Sequence, residues 1–171
     1  MSTGDHPKDH PEDHAGDLRA WIAARRAELL ADLSGYVSLE TPSNDKVLLD
    51  ASLAWLDGYL ETRLGAPAAT RRAGGGAYGD IRVNDYPGHG GGPPILLLAH
   101  YDTVWPAGTL AAWPFTVEGD RASGPGVFDM KAGLIQLVWA LRALEAAGLP
   151  ARRCGCCSTA MRRSAAPPRG P

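Results

Sequence analysis

An α/β domain is the fold class that the 171 residues predict, and three stretches of the chain predict it. Apolar residues recur at helical spacing from Asp17 to Val37 and again from Val47 to about Leu64. A continuous apolar run, Ile95-Leu96-Leu97-Leu98-Ala99, stands between Gly/Pro-rich segments, as a central buried strand does. A third helical pattern runs from about Met130 to Ala147. Helices before and after a buried strand describe a layered α/β domain.

The elements follow in order. Residues 5–14 repeat Asp-His-Pro with His6, His10 and His14 in phase. Proline at every fourth place argues against a helix. Residues 1–16 are therefore expected to form a disordered leader whose histidines bind metal weakly at most. Leu18, Trp21, Ile22, Leu29, Leu30, Leu33 and Val37 then predict one helix, broken at Thr41-Pro42-Ser43-Asn44. Ser43 or Asn44 is expected to cap the next helix, and Gly65 to end it. Gly74-Gly75-Gly76 reads as a loop, Tyr78 to Asn84 as a strand, and Gly88 to Pro94 as a flexible connection. Phe115 to Ser123 reads as a hairpin turning at Glu118-Gly119-Asp120, and Gly148 closes the last helix.

Composition excludes several classes. Seventeen basic against nineteen acidic side chains leave no cationic excess for nucleic acid. No apolar run is long enough to span a bilayer, so no membrane role is expected. The charged N-terminus has no apolar signal core, which predicts a cytoplasmic protein. The charge is uneven, however. Residues 151–171 hold Arg152, Arg153, Arg162, Arg163 and Arg169, no acid, and all three cysteines. That shift marks 151–171 as a basic, Cys-rich tail separate from a domain at 17–150. Cys154-x-Cys156-Cys157 lacks the second ligand pair of a structural zinc site.

The apolar strand runs straight into His100-Tyr101-Asp102. Ligands of α/β sheets gather at the carboxyl ends of strands. His100 stands where a metal ligand would, and Asp102 is placed to accept its second ring N–H. A capping or surface pair would leave the same triplet. Asp129 ends the glycine-rich turn Ser123-Gly124-Pro125-Gly126-Val127-Phe128 and is either a helix N-cap or a carboxylate able to bridge two metal ions.

Three blocks in order carry a family resemblance: Leu-Leu-Leu-Ala-His-Tyr-Asp-Thr-Val-Trp at 96–105, Pro-Phe-Thr-Val-Glu-Gly-Asp at 114–120, and Ser-Gly-Pro-Gly-Val-Phe-Asp-Met-Lys-Ala-Gly at 123–133. The chain resembles the N-terminal part of the zinc metallopeptidases of the glutamate carboxypeptidase, acetylornithine deacetylase and succinyl-diaminopimelate desuccinylase family, the first branch most. The resemblance implies an incomplete three-layer αβα zinc-exopeptidase-like catalytic domain with two zinc ions. It implies that His100 binds one zinc, that Asp102 orients His100, and that Asp129 bridges both ions. The family's general base and a third ligand are a Glu-Glu pair on the next strand, followed by another acid and a distant His. Glu145 is the last glutamate, Asp129 the last aspartate and His100 the last histidine, so none of these has a counterpart here, nor has the family's dimerisation domain.

The tail stands where that Glu-Glu strand is expected. Read one base out of frame, with suitable third bases, codons 153–158 encode Val-Arg-Val-Leu-Leu and codons 161–165 encode Asp-Glu-Glu-Val-Gly. A frameshift truncating the family sequence is the expectation. The implied activity is hydrolysis of an amide beside a free carboxylate, on a small peptide (a carboxypeptidase releasing glutamate) or on an N-acyl amino acid (a deacylase). A fragment with no enzymatic role is the reading from another class.

Overall fold

The computed structural model describes residues 11–160. His6, His10 and the codon-161–165 reading lie outside them. Helix α1, Pro11–Ala23, begins inside the expected leader. Pro11 is its first residue, where a missing N–H removes no helical bond. The single helix expected from Asp17 to Val37 is two. It breaks at Ala24–Arg25 and resumes as α2, Arg26–Val37. Helix α3, Lys46–Leu64, is capped by neither Ser43 nor Asn44. The Asp45 carboxylate accepts from Leu48 N at 3.1 Å, and Gly65 ends the helix at φ +80°.

Four strands form the main sheet in the order β1-β2-β6-β3. They are β1, Ala69–Ala73; β2, Ile81–Tyr86; β3, Gly90–His100; and β6, Arg152–Thr159. The apolar run is thus an edge strand and not a central one. The central place beside it belongs to the Cys-rich segment, which is part of the domain. β6 pairs parallel with β3 from Ile95↔Cys154 to His100↔Thr159 and antiparallel with β2. Cys154, Cys156 and Ser158 alternate inward, small enough to pass beneath the helices. The connection expected at 88–94 is the irregular first half of β3, where the pairing register shifts between Gly90 and Ile95. Pro93 and Pro94 are tolerated there because an edge strand has one side unpaired.

Leu97, Ala99 and Tyr101 point to one face of the sheet. There Ala99 and Tyr101 meet Leu33, Tyr36 and Val37 of α2, Leu49, Leu53, Leu56 and Leu60 of α3, and Leu134, Ile135, Val138 and Trp139 of α5, Ala132–Ala146, while Leu97 packs against Tyr86, Cys154 and Cys156. Leu96 and Leu98 point to the other face and remain 65% and 63% exposed. Two layers of the expected αβα sandwich are therefore built. The short helix α4, Thr109–Ala112, and the hairpin β4–β5, Thr116–Glu118 with Arg121–Ser123, lie beyond the C-terminal end of β3. No helix among the described residues is long and apolar enough to cross a membrane.

Candidate metal centre

β3 delivers His100 to the carboxyl edge of the sheet, where the pairing with β6 continues as Tyr101 N donates to Thr159 O at 3.0 Å. Tyr101 is fully buried, and its hydroxyl donates to Asp80 O at 2.7 Å. This pin fixes the residues on either side of it. The His100 ring is buried. Its Nδ1 lies 3.0 Å from the Asp102 carbonyl oxygen and 3.3 Å from Asp102 Oδ1. Both are acceptors, so Nδ1 carries the proton. Nε2 lies 3.0 Å from Asp129 Oδ1.

Asp102 is buried as well, and Ser43 Oγ donates to its Oδ2 at 2.5 Å. The strand-like stretch 41–43 runs beside 101–103, with Thr103 N donating to Thr41 O at 2.7 Å and Ser43 N to Thr103 O at 3.1 Å. Ser43, expected as a helix cap, serves the site instead. Its place after a helix-breaking Pro gave no sign of a partner 59 residues on.

Asp129 does not cap α5. It sits in an irregular turn, Val127–Lys131, where Asp129 and Met130 have non-helical dihedrals and the peptide between them is cis. α5 therefore starts at Ala132 and not at Met130. Gly126, at φ +73°, allows this turn to close on β3: a Cβ there would stand 2.5 Å from Thr103 Cγ2. Lys131 anchors the turn from below. Its buried Nζ donates to Tyr36 O at 3.2 Å and Leu39 O at 2.5 Å, at the C-terminal end of α2. Free carbonyls and the helix dipole make that end a natural seat for a cation. Burial lowers the Lys131 ammonium to about 8, against a smaller pull upward from Glu40. Sequence reasoning passed over Lys131, whose role needs the tertiary fold.

Chemically, the facing of Nε2 and Asp129 Oδ1 is informative. A neutral imidazole protonated at Nδ1 offers a lone pair at Nε2, and a carboxylate offers another. Two acceptors at 3.0 Å need a proton or a cation between them. Imidazole and carboxylate are the donors zinc takes, and Asp102 behind the histidine is the usual supporting partner. The residues fit a metal to that extent. Among the described residues no group of three or more His, Cys, Asp or Glu side chains could hold the ion by itself.

A cavity of about 230 Å³ opens on these groups. Its other wall is aromatic, with Trp105 and Trp113 centroids 5.0 Å apart at 83°. The excursion between them is fastened by Glu40, whose carboxylate accepts from Gly108 N at 2.7 Å and Leu110 N at 2.9 Å. Those N–H donors hold the Glu40 carboxyl below its ordinary value.

Known proteins share the family and the fold. Residues 96–155 match Peptidase family M20/M25/M40. Carboxypeptidase G2 of Pseudomonas sp. (strain RS-16) is 35% identical over 121 residues, which are 71% of this chain and 29% of that protein. Among solved structures, human carnosine dipeptidase 1 gives a TM-score of 0.66 at 16% identity, over 85% of this chain and 34% of that one. An M20 family metallo-carboxypeptidase from Sulfolobus solfataricus gives 0.64 at 19% identity, over 78% and 30%. The chain thus spans about a third of the length of the proteins it resembles. The β3–site–α5–β6 segment and the fold around it are the N-terminal part of a Peptidase family M20/M25/M40 domain.

Proposed function

We propose that this chain carries the first part of a two-zinc centre of an amide hydrolase, one that cleaves beside a free carboxylate as a carboxypeptidase releasing glutamate does. The observation that supports the reading best is the meeting of His100 Nε2 and Asp129 Oδ1 at 3.0 Å, with Nδ1 already committed to Asp102. In this reading His100 holds one zinc ion and Asp129 bridges two. Bound zinc would polarise the amide carbonyl and acidify a water.

The chain's own residues do the positioning. Asp102 keeps the proton on Nδ1 and so turns the Nε2 lone pair toward Asp129, where a metal would sit. Ser43 holds the Asp102 carboxylate in place. Lys131 ties the Asp129 turn to α2. Two protein ligands are fewer than the three or four of a stable zinc site. Among the described residues no glutamate lines the cavity to serve as general base. The whole enzyme therefore completes the centre with other residues, and the 171-residue chain alone does not turn over.

Zinc titration by calorimetry tests this, in a background with His6, His10 and His14 changed to Ala. Weak binding is expected, abolished by His100→Ala and by Asp129→Ala. Asp102→Ala should weaken it about ten- to hundredfold, as loss of a supporting partner does. N-acyl-glutamate should remain intact with zinc present. Unchanged binding in both ligand variants would remove the site, and zinc-dependent turnover would show that the chain is catalytically complete.

A further inference from the structure

A second cavity, of about 260 Å³, lies at the far end of β3 from the candidate metal centre. β3 runs from Gly90 to His100, which at about 3.3 Å per residue separates the two by roughly 30 Å. Its floor is apolar. Leu64 at the end of α3, Leu141 in α5 and Leu149 are half-buried there, with Tyr86 and Cys154 beside them. Burial pushes the Tyr86 phenol and the Cys154 thiol up, so neither brings a charge. The Tyr86 hydroxyl is buried without a hydrogen-bond partner among the described residues.

The walls are fixed by backbone. Past the end of α5, Gly148 N donates to Glu145 O at 2.9 Å and Leu149 N to Leu144 O at 3.0 Å, with Gly148 at φ +64°. This closing turn sets Leu149 into the lining. On the sheet side, Gly90 N donates to Ala151 O at 2.9 Å, and a Cβ on Gly90 would stand 2.6 Å from Pro150 O. Segment 88–90 is thus pressed against 150–152.

Charge decides the ligand. Arg152 opens β6 and Glu145 lies in the last turn of α5, so the lining carries one fixed charge of each sign. Neither side chain forms an ion pair among the described residues. α3 and α5 both end at this cavity, and the negative ends of their dipoles add to Glu145 in favouring a cation. Arg152, on the strand, favours an anion. A purely cationic ligand would leave Arg152 unused, and a purely anionic one would meet Glu145. A ligand with both charges and an apolar body suits walls and floor together. Sites of this kind are mostly apolar, with a few convergent polar groups. A cavity of about 150 Å³ holds benzene, so the larger space here admits a branched aliphatic side chain with its α-carbon.

We propose that this cavity binds a free α-amino acid with an apolar side chain, its ammonium at Glu145, its carboxylate at Arg152 and its side chain among Leu64, Leu141 and Leu149. Such a molecule is of the class an exopeptidase releases. That link rests on the hydrolase reading above; the binding does not. The experiment therefore uses the whole chain with zinc removed by chelator. L-leucine, 4-methylpentanoate (no ammonium), 3-methylbutylamine (no carboxylate) and glycine (no side chain) are titrated by calorimetry, and amide chemical shifts locate the site.

Leucine should saturate, about tenfold more tightly than either truncated analogue, because each lacks one charge-assisted contact. Glycine should not bind. Shifts should gather at Gly88 and Ala151 and leave His100 unmoved. Arg152→Gln should weaken leucine about tenfold and leave 3-methylbutylamine unchanged. Glu145→Gln should weaken leucine equally and leave 4-methylpentanoate unchanged. Both side chains are exposed, and retained binding of one analogue shows that each variant is folded. Leucine binding no tighter than the amine would overturn the proposal in favour of a cation site, and no tighter than the acid in favour of an anion site. An absence of saturation, or shifts centred on His100, would overturn it outright. The analogue series on the parent chain decides without either variant. Because no metal is present, a failed zinc titration leaves this result standing, and a failed leucine titration leaves the zinc reading standing.

Discussion

Ser43 shows what one hydroxyl does at the site. Its Oγ donates to a carboxylate that is wholly buried, and that carboxylate sets the tautomer of His100. A hydrogen bond to a charged, desolvated acceptor is worth about 1.5–3 kcal/mol. Ser43→Ala should lower the unfolding free energy by about that amount in urea denaturation, and Ser43→Thr, which keeps the hydroxyl, should restore most of it. Wild-type stability in Ser43→Ala would show that Asp102 does not depend on Ser43. His100, Asp102 and Asp129 were legible because their chemistry is local: a His-x-Asp at a strand end, and an acid closing a glycine turn. Ser43 and Lys131 were not, since each acts on a partner far along the chain, at separations of 59 and 92–95 residues.

At the scale of elements, periodicity marked the helices well and their ends less well. The apolar pattern through Val37 does not record the break at Ala24–Arg25, where neither Gly nor Pro stands. Strand β6 was missed for a different reason. Its inward residues are Cys154, Cys156 and Ser158, and its outward ones include Arg153, Gly155 and Cys157. Composition made it a tail, whereas its alternation of burial makes it a strand with two partners. The pairing has a chemical consequence. Burial pushes the Cys156 thiol up to about 12 and raises Cys154 too. The thiolate is the form that reacts with alkylating agents. Limited iodoacetamide treatment of the native chain should therefore label Cys157 first and leave Cys154 and Cys156 until denaturant is added. Mass spectrometry of the peptides reads the order. Equal early labelling of all three would mean that β6 is not held in the sheet.

Among the described residues, one face of the sheet is covered by helices and the other is open. Helices α2, α3 and α5 bury Leu97, Ala99 and Tyr101, while Leu96 stands level with Gly155 and Leu98 level with Cys157 on the exposed side. β2 brings Val83 to the same row as Cys157. β3 is also the end of the sheet, and from Gly90 to Ala99 it carries no charged side chain. Sheet edges that remain monomeric are commonly guarded by charge, by bulges or by a covering segment. Here Pro93 and Pro94 guard the first half, and Ile95–Ala99 has only its apolar side chains. The expectation is concentration-dependent association through this face and edge. Leu96→Lys with Leu98→Lys places two charges on the exposed side, where neither side chain contributes to the core, so the fold should survive. Sedimentation velocity should show oligomers that grow with concentration in the parent chain and a monomer in the double variant, with equal circular dichroism. A parent chain that stays monomeric across the range would show that the open sheet is tolerated as it stands. Oligomers that persist in the double variant would place the contact on a different surface.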